Sequence, residues 1–587
     1  MSRFLFFLAA TTLVPILLQA QPSFAIPPKR EVRAVWLATA AGLDWPKTYD
    51  RKEQQNSLRK IVQDLKAANF NTVFFQVRTR GDAYYRSHYE PWAENLTGTM
   101  GQDPGWDPLA FLINEAHRVG IEVHAWINVY KVRSAINFPS SPLHPVRAYP
   151  AWVVPYAGEY WLDPGIPEVR SYLVNVVMDI VRNYDVDGIN FDYMRYPGHD
   201  FADDDSYRRY GGSTDRDTWR LQNITRFVTE IYDKATAIKP MLKVGSSPVG
   251  VAATEGEPES RIQLQSYYQD APTWLRMRKQ DYISPQIYWD IGSSRRDPDF
   301  AYLIRRWRDF SAGRHMYAGI AAYKPEVAHE ITAEIDTARS NNTEGESYFR
   351  YENIQAPGLF GTRYLTPANI PPMAWKDAVP PLAPTNLAVS EVSANVFALE
   401  WKPPLPASDG DRARYYNIYR STSPVIDTKT PLHLIAVTQA PDNTFIDTVK
   451  IPTGVTYNYA VAALDKGNNE GPPSSVASAS IREMLALKNR IPAFTSLSTS
   501  FSHDVGTPTL VAYRLERRSL VQLSIYRQLA DGRDSLYSTL INEVQNGATY
   551  VVGLGKIAFR SGRYAIRMRA GEMDIEQTFN VAKETPP

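Results

Sequence analysis

The chain is 587 residues long; that is more than one hydrophobic core organises, and at roughly 100 to 250 residues per domain it divides into two to four units. Hydrophobic residues make up 44% and charged residues 22%, which excludes a disordered or wholly membrane-embedded chain. The formal net charge of +1 offers no electrostatic attraction to a polyanion, so no nucleic-acid partner is expected.

Met1 to Arg3 make a short basic start, and Phe4 to Leu18 form an apolar run too short for a comfortable membrane span. Ser23-Phe24-Ala25 then puts small residues where a signal peptidase cuts. The expectation is an export signal over residues 1–25, a periplasmic or extracellular destination in the cell envelope, and no membrane span after cleavage. Cysteine is absent, so no lipid anchor on a cysteine and no disulfide is available. The domains must be held by their cores.

From Glu31 to about Pro372 the pattern alternates strand and helix. Strand-like runs fall at Val32–Ala40, Thr72–Val77, Glu122–Val129, Gly188–Tyr193, Lys243–Val249, Tyr282–Trp289, Met316–Tyr323 and Glu346–Tyr351. Helix-period segments lie between them at Lys52–Ala68, Asp107–Val119, Pro167–Tyr184, Asp217–Ile238, Trp274–Lys279, Phe300–Phe310 and Val327–Ser340, several opened by Asp or Pro. Eight strands alternating with helices predict a (β/α)8 TIM barrel over residues 30–372, with its eighth helix weak or missing. An open doubly wound sheet is disfavoured, because no glycine-rich phosphate loop follows the first strand.

Such barrels do their chemistry at the C-terminal ends of the strands. The second strand ends at Gln76-Val77-Arg78 and runs into a loop with Arg80 and Asp82. In the third, alternation turns His124, Trp126 and Asn128 to one side. The fourth, within DGINFDYMRYP, delivers Asn190, Asp192 and Arg195; later exits carry Ser247, Gln286, Tyr288, Trp289 and Tyr323. Blander readings exist for several: Arg78 and Asp82 as a surface ion pair, His124 as a satisfied core imidazole, Asp192 as a carboxylate tying the mouth together. The acidic run Asp203-Asp204-Asp205 lacks the alternate spacing of a calcium loop, and neither a metal nor a cofactor is assigned.

The motifs FFQVRTRGDAYYRSHYEPWAENLTG, DPLAFLINEAHRVGIEVHAWINVYKV, WLDPGIPEVRSYLVNVVMDIVRNY, DVDGINFDYMRYP and DYISPQIYW resemble the glycosyl hydrolase-like 10 family, also called the DUF187 or YngK-like family. The resemblance covers about Arg30 to Pro372. It implies an exported TIM-barrel glycosidase, in a family that includes a divisome-localised enzyme cleaving peptidoglycan strands stripped of their peptides. It implies barrel-mouth roles for Arg78, Asp82, His124, Asn128, Asp192, Gln286 and Trp289. DGINFDYMRYP is also similar to the chitinase-type signature DGxDxDxEYP, but Asn190 replaces an Asp and Met194 or Arg195 stands where the acidic Glu is needed. Many family members carry a second Asp where this chain has Tyr193. Asp192 is therefore the first catalytic candidate and Asp82 the second, with Asp290 in reserve; Arg78, His124, Trp126, Asn128, Arg195, Gln286, Tyr288 and Trp289 are candidate substrate-binding residues. Substrate assistance by an acetamido group stays open.

A proline-rich linker is read over 373–384. Short strands at Asn386–Val389, Phe397–Trp401, Tyr415–Arg420 and Thr456–Leu464 resemble a fibronectin type III module over 385–485. A further β-patterned stretch, 490–587, has strands at Thr509–Leu515, Ser519–Tyr526, Thr549–Gly553, Gly562–Met568 and Ile575–Val581. The whole reads as a multidomain chain: a TIM barrel followed by two all-β immunoglobulin-like sandwich domains. The β-domains are expected to contact wall polymer or envelope proteins. The function read is hydrolysis of peptidoglycan or a related N-acetylated glycan polymer; the alternative is a non-catalytic glycan-binding scaffold.

Overall fold

The computed structural model describes residues 26–251, 266–292, 299–393, 396–440, 442–449, 456–480, 498–501, 508–515, 519–529, 532–545, 549–553, 559–570 and 573–581. The expected export signal lies outside them. Eight parallel strands close a barrel, here numbered one to eight: Val32–Leu37, Thr72–Arg78, Glu122–Asn128, Gly188–Asp192, Lys243–Ser246, Tyr282–Ile283, His315–Ile320 and Gly345–Tyr348. Each pairs with the next, and the eighth closes on the first through Val32 opposite Gly345.

Alternation along each strand separates two environments. Val35, Leu37, Phe75, Val77, Ala125 and Ile127 face outward and pack beneath the helices, while Ala34, Trp36, Phe74, Trp126, Tyr282 and Tyr317 fill the barrel. The helices present matching stripes: in Arg51–Ala67 the buried residues Leu58, Ile61, Val62 and Leu65 recur at helical spacing. Asp50, Asp107, Asp215, Asp270 and Asp299 each accept an amide hydrogen of the first helical turn, which is why aspartates precede so many of these helices. After strand eight the chain makes only a 3-10 turn, Tyr351–Ile354, as the weak eighth helical pattern predicts.

Two features depart from the expected barrel. Strand six is two residues long, Tyr282–Ile283, rather than reaching Trp289; Pro285 has no N–H for the ladder, and Gln286 rejoins it only through single bridges to Val249 and Gly319. The sequence reading also assigns no strand between Asn128 and Pro167, yet Lys131–Ser134, Val153–Tyr156 and Glu159–Leu162 form a small antiparallel sheet there. It begins where strand three ends, so it walls the mouth.

Downstream, strands at Thr385–Ser393, Val396–Lys402 and Thr444–Thr448 make one antiparallel sheet. Tyr415–Ser421, Leu434–Gln439, Thr456–Leu464, Glu470–Pro473 and Ala477–Ser480 make a second. Trp401, Tyr416, Ile418, Tyr459 and Val461 form the core between them. The last described region has sheets of three and four antiparallel strands around Val511, Leu523, Ile525, Tyr564 and Ile566. Its strands Ser498–Phe501 and Asp534–Gln545 were not expected.

The first β-domain docks on the barrel at the N-terminal ends of the strands. Asn468 donates to Glu122 at 2.9 Å, Arg414 donates to His117 Nδ1 and Asp185, each at 2.9 Å, and Lys466 pairs with Asp185 at 2.8 Å. The 373–384 segment is strapped down at that end: Met373 is buried, the Trp375 indole donates to Asp281, and Lys376 pairs with the same carboxylate at 2.9 Å. The opposite end, the barrel mouth, stays clear of these contacts.

Candidate active site

At the mouth lies a cavity of about 420 Å³, within the range of pockets that hold small ligands. Strand four supplies its centre. Gly188, Asn190 and Asp192 share the inward face, and Tyr193 follows with φ of 50°, a left-handed conformation uncommon for a residue with a Cβ. This turn sets the Tyr193 N–H on Asp192 Oδ1 at 2.7 Å, and Gln286 Nε2 donates to the same oxygen at 3.2 Å. Oδ2 is thus the oxygen able to carry and release a proton. Burial raises the pKa of Asp192 above the ordinary carboxylate value, and the Tyr193 amide, the Arg195 charge and the Trp126 and Gln286 side chains only partly offset it.

Around Asp192 the cavity is lined by Trp36, Trp126, Tyr288, Tyr323 and Phe349, by Gln76, Asn128 and Ser247, and by Arg80, Lys131 and Arg195. Trp36 stacks on Phe74 at 4.4 Å and meets Trp126 edge-on at 4.9 Å, so the aromatic wall is braced from below. Arg195 is held over rings, 4.7 Å from the centre of Tyr267 and 5.2 Å from that of Tyr193. Lys131 lies over the same Tyr193 ring, 5.1 Å from its centre, and 3.3 Å from Glu159. Gln76 turns its carbonyl to the Thr39 and Ala40 amides, and Asn190 donates to the Ser247 hydroxyl at 3.1 Å. Among the described residues lining the cavity, Asp192 is the only carboxylate.

The structure gathers Asp192, Trp126, Asn128, Arg195, Gln286 and Tyr288 at this cavity; four other candidates lie elsewhere. A register shift between Gln76 and Arg78 re-aims Arg78 into the protein, where it makes a bidentate pair with Glu90, both bonds at 2.7 Å, and donates to the Val129 carbonyl. It joins the loop after strand two to the end of strand three, and its partner is Glu90 rather than Asp82. His124 faces inward as expected but one inward position below Trp126, bonded to Tyr282 and Glu122 and packed so closely on Gly188 that a Cβ there would lie 2.5 Å from the imidazole. It is a core imidazole. Asp82 does not line the cavity: its Oδ1 accepts the Thr79 hydroxyl and the Arg80 amide, bracing the turn that presents Arg80. Trp289 packs against Gly250 behind the wall. Trp36, Lys131 and Phe349 are lining residues that the sequence reading did not single out; the inward parity of strand one was the signal available for Trp36.

A profile of the glycosyl hydrolase-like 10 family matches residues 31–335, which hold strands one to seven of the barrel and stop short of strand eight. The chain belongs to the glycosyl hydrolase-like 10 family. It is 32% identical over 501 residues to glycosyl hydrolase YngK of Bacillus subtilis (strain 168), a match covering 78% of this chain and 94% of that protein. With glycosyl hydrolase DigH of Escherichia coli (strain K12) it shares 34% identity over 324 residues, 50% of this chain and 73% of that protein. Among solved structures, the PgaB (BpsB) glycoside hydrolase domain of Bordetella bronchiseptica aligns with a TM-score of 0.42 at 12% identity, over 57% of this chain and 98% of that one; so distant a likeness carries no argument about the site. Family membership makes glycoside hydrolysis the class of chemistry against which the cavity is read.

Proposed function

We propose that the protein hydrolyses glycosidic bonds in an anionic, N-acetylated cell-wall glycan, peptidoglycan strands stripped of their peptides, with Asp192 as proton donor. The observation that carries this reading is the make-up of the cavity: one buried carboxyl group, aromatic faces, and three cationic side chains, Arg80, Lys131 and Arg195. Aromatic faces stack on the apolar faces of sugar rings. Removing the stem peptide from a muramic acid residue frees a lactyl carboxylate, and the three cations suit that charge.

Glycosidases usually place a second carboxylate about 5 to 5.5 Å from the acid for retention, or farther for inversion. With Asp192 the only lining carboxylate among the described residues, an N-acetylated substrate supplies what is missing. The acetamido oxygen attacks the anomeric carbon as Asp192 gives its proton to the leaving glycosidic oxygen; water then opens the cyclic intermediate and returns a proton to Asp192. The expected signal over residues 1–25 delivers this chemistry to the cell envelope, and the β-domains, the first of them docked at the far end of the barrel, space the mouth from the wall or hold its polymer.

The test is to incubate the chain from residue 26 onward with peptide-stripped strands, peptide-bearing peptidoglycan and neutral chitin oligomers, reading new reducing ends and product masses. Stripped strands should be cut fastest. Binding with no new reducing ends on any substrate would establish the scaffold reading, and products lacking a reducing end would replace hydrolysis by lytic cleavage.

A further inference from the structure

The junction between the barrel strap and the first β-domain gathers four carboxylates from three separate stretches of chain. Asp377 lies on the strap; Asp409 and Asp411 sit in the turn between strands Val396–Lys402 and Tyr415–Ser421; Asp465 opens the turn after Thr456–Leu464. One carboxylate oxygen from each of Asp377, Asp409 and Asp411 lies within 4.8 Å of the other two, the span of two oxygens on opposite sides of a calcium ion at about 2.4 Å. The turn is pre-shaped: Asp409 Oδ1 accepts the Asp411 amide at 3.0 Å, and the Asp411 carbonyl accepts the Ala407 amide at 2.9 Å.

Asp465 supplies an independent observation. It is fully buried; its Oδ1 accepts the Asn469 amide at 2.9 Å, but its Oδ2 has no hydrogen-bond partner and its carboxyl group faces that of Asp377. Asp377 is itself oriented, accepting the Val379 amide on Oδ1 and the Asn469 side chain on Oδ2. Lys376 is paired with Asp281 at 2.9 Å, and Lys466, paired with Asp185 at 2.8 Å, reaches the cluster only through its charge on Asp411. A buried carboxylate with one oxygen lacking a donor and facing a second carboxylate is stable only with a compensating cation or proton.

We propose that Asp377, Asp409 and Asp411, backed by Asp465, bind a hard divalent cation of the calcium class that clips the barrel strap to the first β-domain. Oxygen-only ligands from loops suit calcium, which accepts irregular geometry and six to eight ligands, with main-chain carbonyls and water completing the shell. The site lies on the side of the barrel away from the mouth, so the cation fixes how the domains are joined and takes no part in hydrolysis.

The test uses the chain from residue 26 onward, stripped with a chelator. Calcium titration by calorimetry should show one ion per chain, with a dissociation constant near or below about 10⁻³ M. Saturating calcium should raise the melting temperature by several degrees, and magnesium should do so less. The D409N/D411N variant, altered in a loop at the surface, should bind at least tenfold more weakly and lose the shift. No binding by the unaltered chain at about 10 mM calcium, binding by the variant equal to that of the unaltered chain, or equal affinity for magnesium would each overturn the proposal. The titration of the unaltered chain decides the question even if the variant fails to fold.

Discussion

Asp192 is where a strand's alternation meets a turn that few side chains adopt. Desolvation raises its pKa, so the protonated form persists above the ordinary carboxylate range, and activity that depends on this proton should fall as pH rises through the raised value rather than near 4. Asp192→Asn should lower kcat by about 10² to 10⁴-fold while the melting temperature holds or rises, since a buried ionisable group is replaced by a neutral one; a parallel loss of structure would reassign Asp192 to holding the mouth together. Arg195→Leu should raise KM for stripped strands more than for neutral chitin oligomers, as measured by initial rates on both. Asp192, Trp126 and Asn128 were legible because inward parity survives the whole length of strands three and four. Arg78 was not, because a bulge changes parity without leaving a mark in the residues, and His124 was not, because parity gives the side of a strand and not the depth.

Among the elements, the helix Pro325–Ser340 carries an unusual load. Its Glu334 is buried, both carboxyl oxygens lack a partner, and burial with the nearby Glu330 and Asp290 charges pushes its pKa up to about 10. A carboxyl group whose pKa is raised on folding binds its proton more tightly in the native state, so its contribution is fully present below about 4.5 and is lost as pH rises toward 10. Glu334→Gln should therefore flatten the fall in stability between pH 5 and 9, and at pH 8 the variant should be more stable by about 1 to 3 kcal/mol. Urea unfolding across that range checks it; identical pH slopes for the two proteins would show that Glu334 ionises with a partner after all. The eight strands and seven helices were readable from periodicity, since each strand buries one face in the barrel and the other under a helix. The sheet between Lys131 and Leu162 was not. Its strands are four residues each and mostly half-exposed, too short and too weakly patterned to stand out. Strand six was overextended because alternation continues past Pro285, whose missing donor ends the ladder.

Across the whole molecule the two ends of the barrel divide the work. At one end Glu122 is buried, and although burial alone would raise its pKa, Lys243 and His124 hold it well below the ordinary value; Asn468 of the β-domain donates to the same carboxylate. Asn468→Ala should lower the urea midpoint by the equivalent of about 1 to 2 kcal/mol and leave kcat/KM unchanged, because the contact is at the end of the barrel away from Asp192. A matching loss of activity would mean that the ends are coupled. The order of the domains was legible from strand spacing and the proline-rich run, but not their docking: the strap over 373–384 looks like a free linker in composition and is anchored through Trp375 and Lys376 to a carboxylate nearly a hundred residues upstream. The measurement that bears most directly on the central claim is a comparison of the unaltered chain and Asp192→Asn on purified peptide-stripped glycan strands, counting new reducing ends across a pH series. The expected result is hydrolysis by the unaltered chain, with a basic limb above the ordinary carboxylate range, and intact strand binding with at least a hundredfold slower cleavage by the variant. Cleavage at equal rates by both proteins would contradict the assignment of the catalytic proton to Asp192.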